Sequence, residues 1–133
     1  MAKMPQDVLS LLDSPEVRIV VGFVDAEGAP NVLPKGRLRV VDNETVAFAD
    51  RANIKVLTDF KANGKAAIVA SSNEERFGYL IKGTFKEYQT SGALFDEWAG
   101  SLGGEAGGLI KMGLIRVDDI YSFVRGAYGK KIA

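Results

Sequence analysis

The chain has 133 residues, enough for one domain that buries roughly two thirds of the surface its unfolded form exposes. Its 17 basic and 17 acidic side chains cancel, so no net field draws it onto nucleic acid or an anionic membrane. Cysteine and histidine are both absent, which excludes disulfides, cysteine nucleophiles, the Ser-His-Asp triad and every thiolate or imidazole metal site, and leaves carboxylates, Lys, Tyr, Ser or a bound cofactor to carry chemistry.

In chain order, Asp7 to Asp13 predicts a short helix entered by Pro5, with Val8, Leu11 and Leu12 at helical spacing and Ser14-Pro15 as its stop. Val17 to Val24 is an apolar, β-branched run ended by Asp25-Ala26-Glu27-Gly28, and Asn31 to Val41 is a long alternating run; together they predict a hairpin. Glu44 to Asp50 is a third strand, Ile54 to Ala62 a helix stopped by Asn63-Gly64, and Ala66 to Ser71 a fourth strand. After the polar loop from Ser72 to Arg76, Phe77 to Tyr88 is a long fifth strand with Gly83 as its expected bulge. Thr90 or Ser91 is the expected cap of a helix carrying Leu94, Phe95, Trp98 and Leu102. A glycine-rich connector, Gly103 to Gly108, precedes two more β runs, Ile110 to Val117 and Ile120 to Arg125, and a loose tail from Gly126 to Ala133. Six or seven closely spaced strands with a few helices favour a closed or nearly closed antiparallel barrel. No apolar stretch approaches the roughly 18 to 20 residues of a membrane helix, and Met1 to Pro5 has no apolar run behind Lys3, so a cytoplasmic protein is expected.

Two groups of cations are the candidate site. Lys35, Arg37 and Arg39 alternate with Val32, Pro34, Gly36, Leu38 and Val40, which would line three cations along roughly 13 to 14 Å of one strand face. The competing reading is the solvated face of an edge strand. Asp50-Arg51-Ala52-Asn53-Ile54-Lys55 then opens a helix, with Asn53 the natural N-cap. Arg51 and Lys55 sit where the helix dipole is positive, at a cost of about 0.3 to 1 kcal/mol each if nothing negative is near. Asp50 and a Lys55–Asp59 pair answer part of that demand; an anion held by the first-turn amides and both cations answers it better.

Other features have plainer readings. The connector Gly103 to Gly108 follows a helix and lacks the Gly-Lys-Ser/Thr ending of a phosphate loop. Trp98 with Leu94, Phe95 and Leu102 reads as core or subunit contact, with a ring-stacking wall as the rarer alternative. None of Tyr79, Tyr88, Tyr121 and Tyr128 is singled out for proton chemistry. Glu74-Glu75 and Asp118-Asp119 read as solvated turns, not as a metal cup.

Pro30 to Gly36, Val46 to Asp50, Lys55, Leu57, Lys61-Ala62-Asn63, Ala66 to Val69 and Lys82-Gly83-Thr84 resemble, in order and spacing, the FMN-binding split barrels related to pyridoxamine 5′-phosphate oxidase. The resemblance covers nearly the whole chain and implies a six-stranded antiparallel split barrel that forms homodimers, with FMN in a groove between subunits. It assigns Lys55 to the FMN phosphate, at the helix start where the residue pattern already places Arg51 and Asn53. Lys35 and Arg37 fall on the strand that passes under the flavin and its phosphate, and Leu33, Pro34, Ala49 and Asp50 supply backbone contacts along the ring and ribityl chain. Family members commonly carry Thr or Ser after the lysine, where this chain has Val56. One hydrogen bond to a charged group is worth about 1.5 to 3 kcal/mol, or one to two decades of affinity. Arg51 compensates, or the branch holds FMN weakly, prefers another flavin or deazaflavin, or has abandoned the cofactor. The implied function is an FMN-dependent oxidoreductase or electron carrier working with a small-molecule donor or acceptor. The alternative is a non-enzymatic dimeric barrel that stores or senses flavin, deazaflavin or haem.

Overall fold

The computed structural model describes residues 2–25, 27–51, 64–72, 77–102 and 108–133. The expected helix over residues 54–62, with Asn53 and Lys55, lies outside the described residues, as do residues 73–76 and 103–107. Two helices, α1 (Gln6–Asp13) and α2 (Ala93–Leu102), accompany β1 (Val17–Val24), β2 (Pro30–Lys35), β3 (Arg39–Asp42), β4 (Thr45–Arg51), β5 (Lys65–Ser72), β6 (Phe77–Gln89) and β7 (Leu109–Ser122). Every ladder is antiparallel, and the strands form one sheet of order β2-β1-β5-β6-β7-β4-β3.

The mainly β reading holds, but the six strands implied by the resemblance become seven among the described residues. The alternating run from residue 31 to residue 41 breaks at residues 36–38 because β2 pairs with β1 whereas β3 pairs with β4, at opposite edges of the sheet. One straight strand cannot serve both edges. The two expected C-terminal runs are instead one 14-residue strand. Its register against β6 shifts at Lys82/Gly83, where Gly83 faces Val117 and Lys82 faces Asp119. Asp118 is the extra residue of the bulge expected at Gly83, so Asp118 and Asp119 lie within β7 rather than in a solvated turn.

No ladder among the described residues joins β2 to β3, so the sheet is open. It is nevertheless strongly coiled. Lys35 of β2 and Asp50 of β4 are in contact, although their strands are five positions apart in the sheet, about 24 Å if it were flat. The coiling lets Leu33 of β2 and Val40 of β3 pack against one core built on Val21, Ile68, Ile81, Phe85, Ile115 and Phe48. Phe48 lies across Gly113, its cross-strand neighbour. A Cβ at Gly113 would stand 2.2 Å from Cζ of that ring, so the glycine makes the ring's seat.

Helix α1 buries Val8, Leu11 and Leu12 against the same core. Helix α2 covers the other face of β4 and β7, where Trp98 packs with Ala47 and Met112, in accord with the core reading of that stripe. It begins after Gly92, whose φ is +108°, so the cap expected at Thr90 or Ser91 falls too early. The C-terminal tail is not loose. Beyond Arg116 the β4 ladder has ended, and the tail occupies the freed edge: Ile132 N–H donates to Ile120 O at 2.8 Å, Ile120 N–H to Ala133 O at 3.0 Å and Ser122 N–H to Lys130 O at 2.8 Å. Unpaired backbone groups on a central strand make such pairing favourable.

Candidate ligand-binding site

Strand parity puts charge inside the coil. On β4, Val46, Phe48 and Asp50 point inward; on β2 the inward set is Asn31, Leu33 and Lys35, opposite Phe23, Val21 and Ile19 of β1. Lys35 is 8% exposed and Asp50 2%. Across the seam where β2 approaches β4, Lys35 Nζ donates to Asp50 Oδ1 at 2.9 Å and to Ala49 O at 3.2 Å, and stands 5.2 Å from the Phe48 ring centroid. Each buried charge offsets part of the desolvation cost of the other.

A third charge completes the cluster. Lys111 is the cross-strand neighbour of Asp50, and its Nζ lies 3.9 Å from Asp50 Oδ2 and 3.8 Å from the Tyr88 ring centroid. Its side chain is one-third exposed, and among the described residues its ammonium makes no hydrogen bond. Two ammonium groups therefore share one buried carboxylate beside the ring group of Phe48, Phe85 and Tyr88, whose Phe85–Tyr88 centroids are 4.8 Å apart. Sequence reasoning missed Lys111. The available signal was an inward lysine in β7 at the height of an inward aspartate in β4, which only a known register turns into a contact.

The expected row of Lys35, Arg37 and Arg39 does not form. The sequence pattern implied an apolar wall of Val32 and Pro34 with the cations opposite, and the structure reverses it: Val32 is 67% exposed and Lys35 is buried. Register decides which parity faces the core, and Asp50 supplies the counter-charge that lets Lys35 be the inward one. Arg37 lies in the crossover after β2, where its Nη2 donates to Asp13 O at 2.9 Å, a favourable cation at the C-terminus of α1. Arg39 pairs with Glu97 of α2. Of the expected site residues, the structure brings together Lys35, Ala49 and Asp50, with Leu33 one inward position along β2. Pro34 is exposed on the opposite face, and Arg51 continues β4 in backbone.

A second polar cluster lies farther along β7. Thr84 is buried; its hydroxyl donates to Asp118 Oδ2 at 2.6 Å and accepts from Lys65 Nζ at 3.2 Å, while Arg116 Nε donates to Asp118 Oδ1 at 3.1 Å. Burial pushes the Asp118 carboxyl up, but the Thr84 and Arg116 hydrogen bonds and the charges of Arg116 and Lys65 outweigh it and hold the group below its ordinary 3.8. Asp119 pairs with Lys131 at 3.0 Å. Nearby, the β1–β2 hairpin walls a groove of about 590 Å³ with Val24, Val32, Ala67 and Lys82 on its lining. Val24 is 53% exposed, so this face carries uncovered apolar surface.

No family model matches the chain, and no curated protein matches it. Solved structures do. HupZ of Group A Streptococcus is 27% identical, with a TM-score of 0.78 over 98% of this chain and 99% of that one. The fold is that of the split barrels related to pyridoxamine 5′-phosphate oxidase. A candidate pyridoxamine 5′-phosphate oxidase of Lactobacillus delbrueckii is 19% identical with a TM-score of 0.67, over 90% of this chain and 93% of that one. An FMN-binding protein of Syntrophomonas wolfei is 15% identical with a TM-score of 0.72, over 88% and 84%. HutZ, the heme storage protein of Vibrio cholerae, shares the split-barrel fold at 12% identity and a TM-score of 0.58, over 90% and 94%.

The donor set separates the two cofactor chemistries. Lysine ammonium groups beside a group of tilted and edge-on aromatic rings suit an aromatic ligand that carries negative charge. Haem iron is held by His, Cys, Met or Tyr; this chain has no His or Cys, and Met4 and Met112 are buried in the core. Cations lie over the rings of Tyr88 and Tyr121, and Tyr128 is exposed, so tyrosine is the ligand type that remains for a haem. The residues present fit a flavin; for a haem they offer only Tyr or Met.

Proposed function

We propose that this protein binds FMN and acts as an oxidoreductase or electron carrier, as a cytoplasmic homodimer with a small-molecule donor or acceptor. The observation that carries the proposal is the Lys35–Asp50–Lys111 cluster, cationic on balance and bordered by aromatic rings at the seam of a split-barrel fold. When bound, FMN supplies the hydride or electron chemistry, and the chain's task is to hold and tune it. That task needs neither histidine nor cysteine. Leu33, Pro34, Ala49 and Asp50 would border the ring and ribityl chain through their backbone. Arg51, Asn53 and Lys55 would hold the phosphate. Lys35 acts indirectly, since its ammonium is engaged by Asp50 and Ala49, and Arg37 would have to leave Asp13 to reach a ligand. The exposed Val24 and Val32 face is apolar surface that a second subunit would cover.

Titration of the purified protein with FMN, followed by flavin fluorescence and absorption, tests the reading. Saturable binding is expected, with affinity at least tenfold weaker in Lys55→Ala, from the magnitude of a charged hydrogen bond. No binding of FMN by the wild-type protein would reject the cofactor. Sedimentation of the FMN-loaded protein is expected to give a dimer mass, and a loaded monomer would reject the shared groove. A second reading, a storage or sensing barrel, is favoured by the likeness to HutZ; a flavin that binds but is not reduced by NADH or NADPH would support it.

A further inference from the structure

We infer that Lys111 is the residue of this site that answers negative charge on the flavin ring, so that it sets the preference of the protein for reduced over oxidised FMN. The inference rests on the FMN reading above and goes beyond it, because neither the sequence pattern nor the resemblance singles out Lys111.

Three observations point to it. First, the two lysines of the cluster are held differently. Lys35 is buried and hydrogen-bonded to Asp50 and Ala49, so its donors are committed to the fold. Lys111 stops at 3.9 Å from Asp50 Oδ2, beyond hydrogen-bond reach, and none of its three N–H donors is used by a described residue. Second, the Tyr88 ring lies 3.8 Å from that ammonium, so a ring face and the Asp50 charge hold the cation in place while leaving one-third of the side chain exposed. Third, Lys111 faces Asp50 and the next residue, Met112, faces Ala49. The resemblance assigns Ala49 and Asp50 to the ring and ribityl chain, so a cation at Lys111 falls beside that part of the ligand.

Asp50 shapes the effect. A carboxylate alone beside a flavin would disfavour added negative charge; among the described residues two ammonium groups stand around it, so their balance is positive, and Lys111 is the one able to turn toward the ligand. Oxidised FMN draws little on it, and the reduced ring, more electron-rich, draws on it more.

The test is the ratio of dissociation constants for oxidised and dithionite-reduced FMN in the wild-type protein, Lys111→Met and Lys111→Arg, each checked for unchanged near-ultraviolet circular dichroism. The methionine variant is expected to lose at least tenfold of the preference for reduced FMN, equal to about 30 mV for the two-electron couple, and the arginine variant to keep most of it. The same loss is expected with riboflavin. A ratio unchanged in Lys111→Met overturns the inference while FMN binding stands; if affinity then falls equally for both redox states of FMN and not for riboflavin, Lys111 is placed on the phosphate instead. Wild-type protein that binds no FMN in either state overturns the FMN reading itself, and this inference with it.

Discussion

Two charged clusters sit along β7, one around Asp50 and one around Asp118, and they are built on opposite plans. At Asp118 each group has a close partner: Thr84 and Arg116 donate to the two carboxylate oxygens, and Lys65 donates to the Thr84 hydroxyl. That cluster locks a bulge and joins β5, β6 and β7. At Asp50 the carboxylate is 2% exposed, yet it faces two lysines, one hydrogen-bonded and one held off at 3.9 Å. Closed networks stabilise and rigidify, whereas a cation kept near a carboxylate without a hydrogen bond keeps donors for something else. The contrast supports a structural role for the first cluster and is the reason binding is proposed at the second.

The largest effect is expected where the buried pair is broken. Lys35→Met leaves Asp50 inside without its hydrogen-bonded ammonium and is predicted to cost about 3–5 kcal/mol in urea unfolding. Adding Asp50→Leu is predicted to recover most of that loss, because a well-packed apolar pair of similar volume replaces two desolvated charges. A single variant as stable as the wild type would mean that Asp50 is satisfied without Lys35, and the distinction between the two lysines would fall.

An intermediate effect is expected at the other cluster. Asp118→Asn is predicted to cost about 1 kcal/mol at neutral pH, near the low end for hydrogen bonds to a charged group because the site is partly solvated. Since the folded carboxyl titrates below its ordinary 3.8, its contribution is full above that value and is lost as pH falls through the lower, folded value. Thermal midpoints of wild type and variant should therefore converge in strong acid, and a gap independent of pH would remove the charge from the explanation. The smallest effect is expected for Lys111→Met without ligand, no more than about 1 kcal/mol, as for a partly exposed ion pair. A loss as large as that of Lys35→Met would show Lys111 to be part of the fold's support and not a spare cation.

Much of the architecture was legible in local pattern. The apolar run of β1, the stop at Ser14-Pro15, the hairpin turn at Asp25 and Gly28 and the bulge at Gly83 each follow from residue types whose conformational preferences act over a few neighbours. In the turn, Asp25 Oδ1 accepts from Glu27 N–H at 3.0 Å and Ala29 N–H at 2.9 Å, the local bonding that makes Asp a turn former. The candidate site was legible only in part. Lys35 and Asp50 were expected in one site, but as neighbours of a ligand and not as a buried pair. Arg37 was expected beside Lys35, yet the crossover at residues 36–38 sends it to the end of α1.

Composition and short-range pattern were sufficient to establish a mainly β domain without thiol, imidazole or membrane-helix chemistry, because each of those statements depends on which residues are present or on spacings of two to four positions. The inward parity of Lys35, the contact across five strand positions and the separate roles of two lysines depend on register and on the coiling of the sheet. Those are set by how the whole core packs, and no local window of residues contains that information.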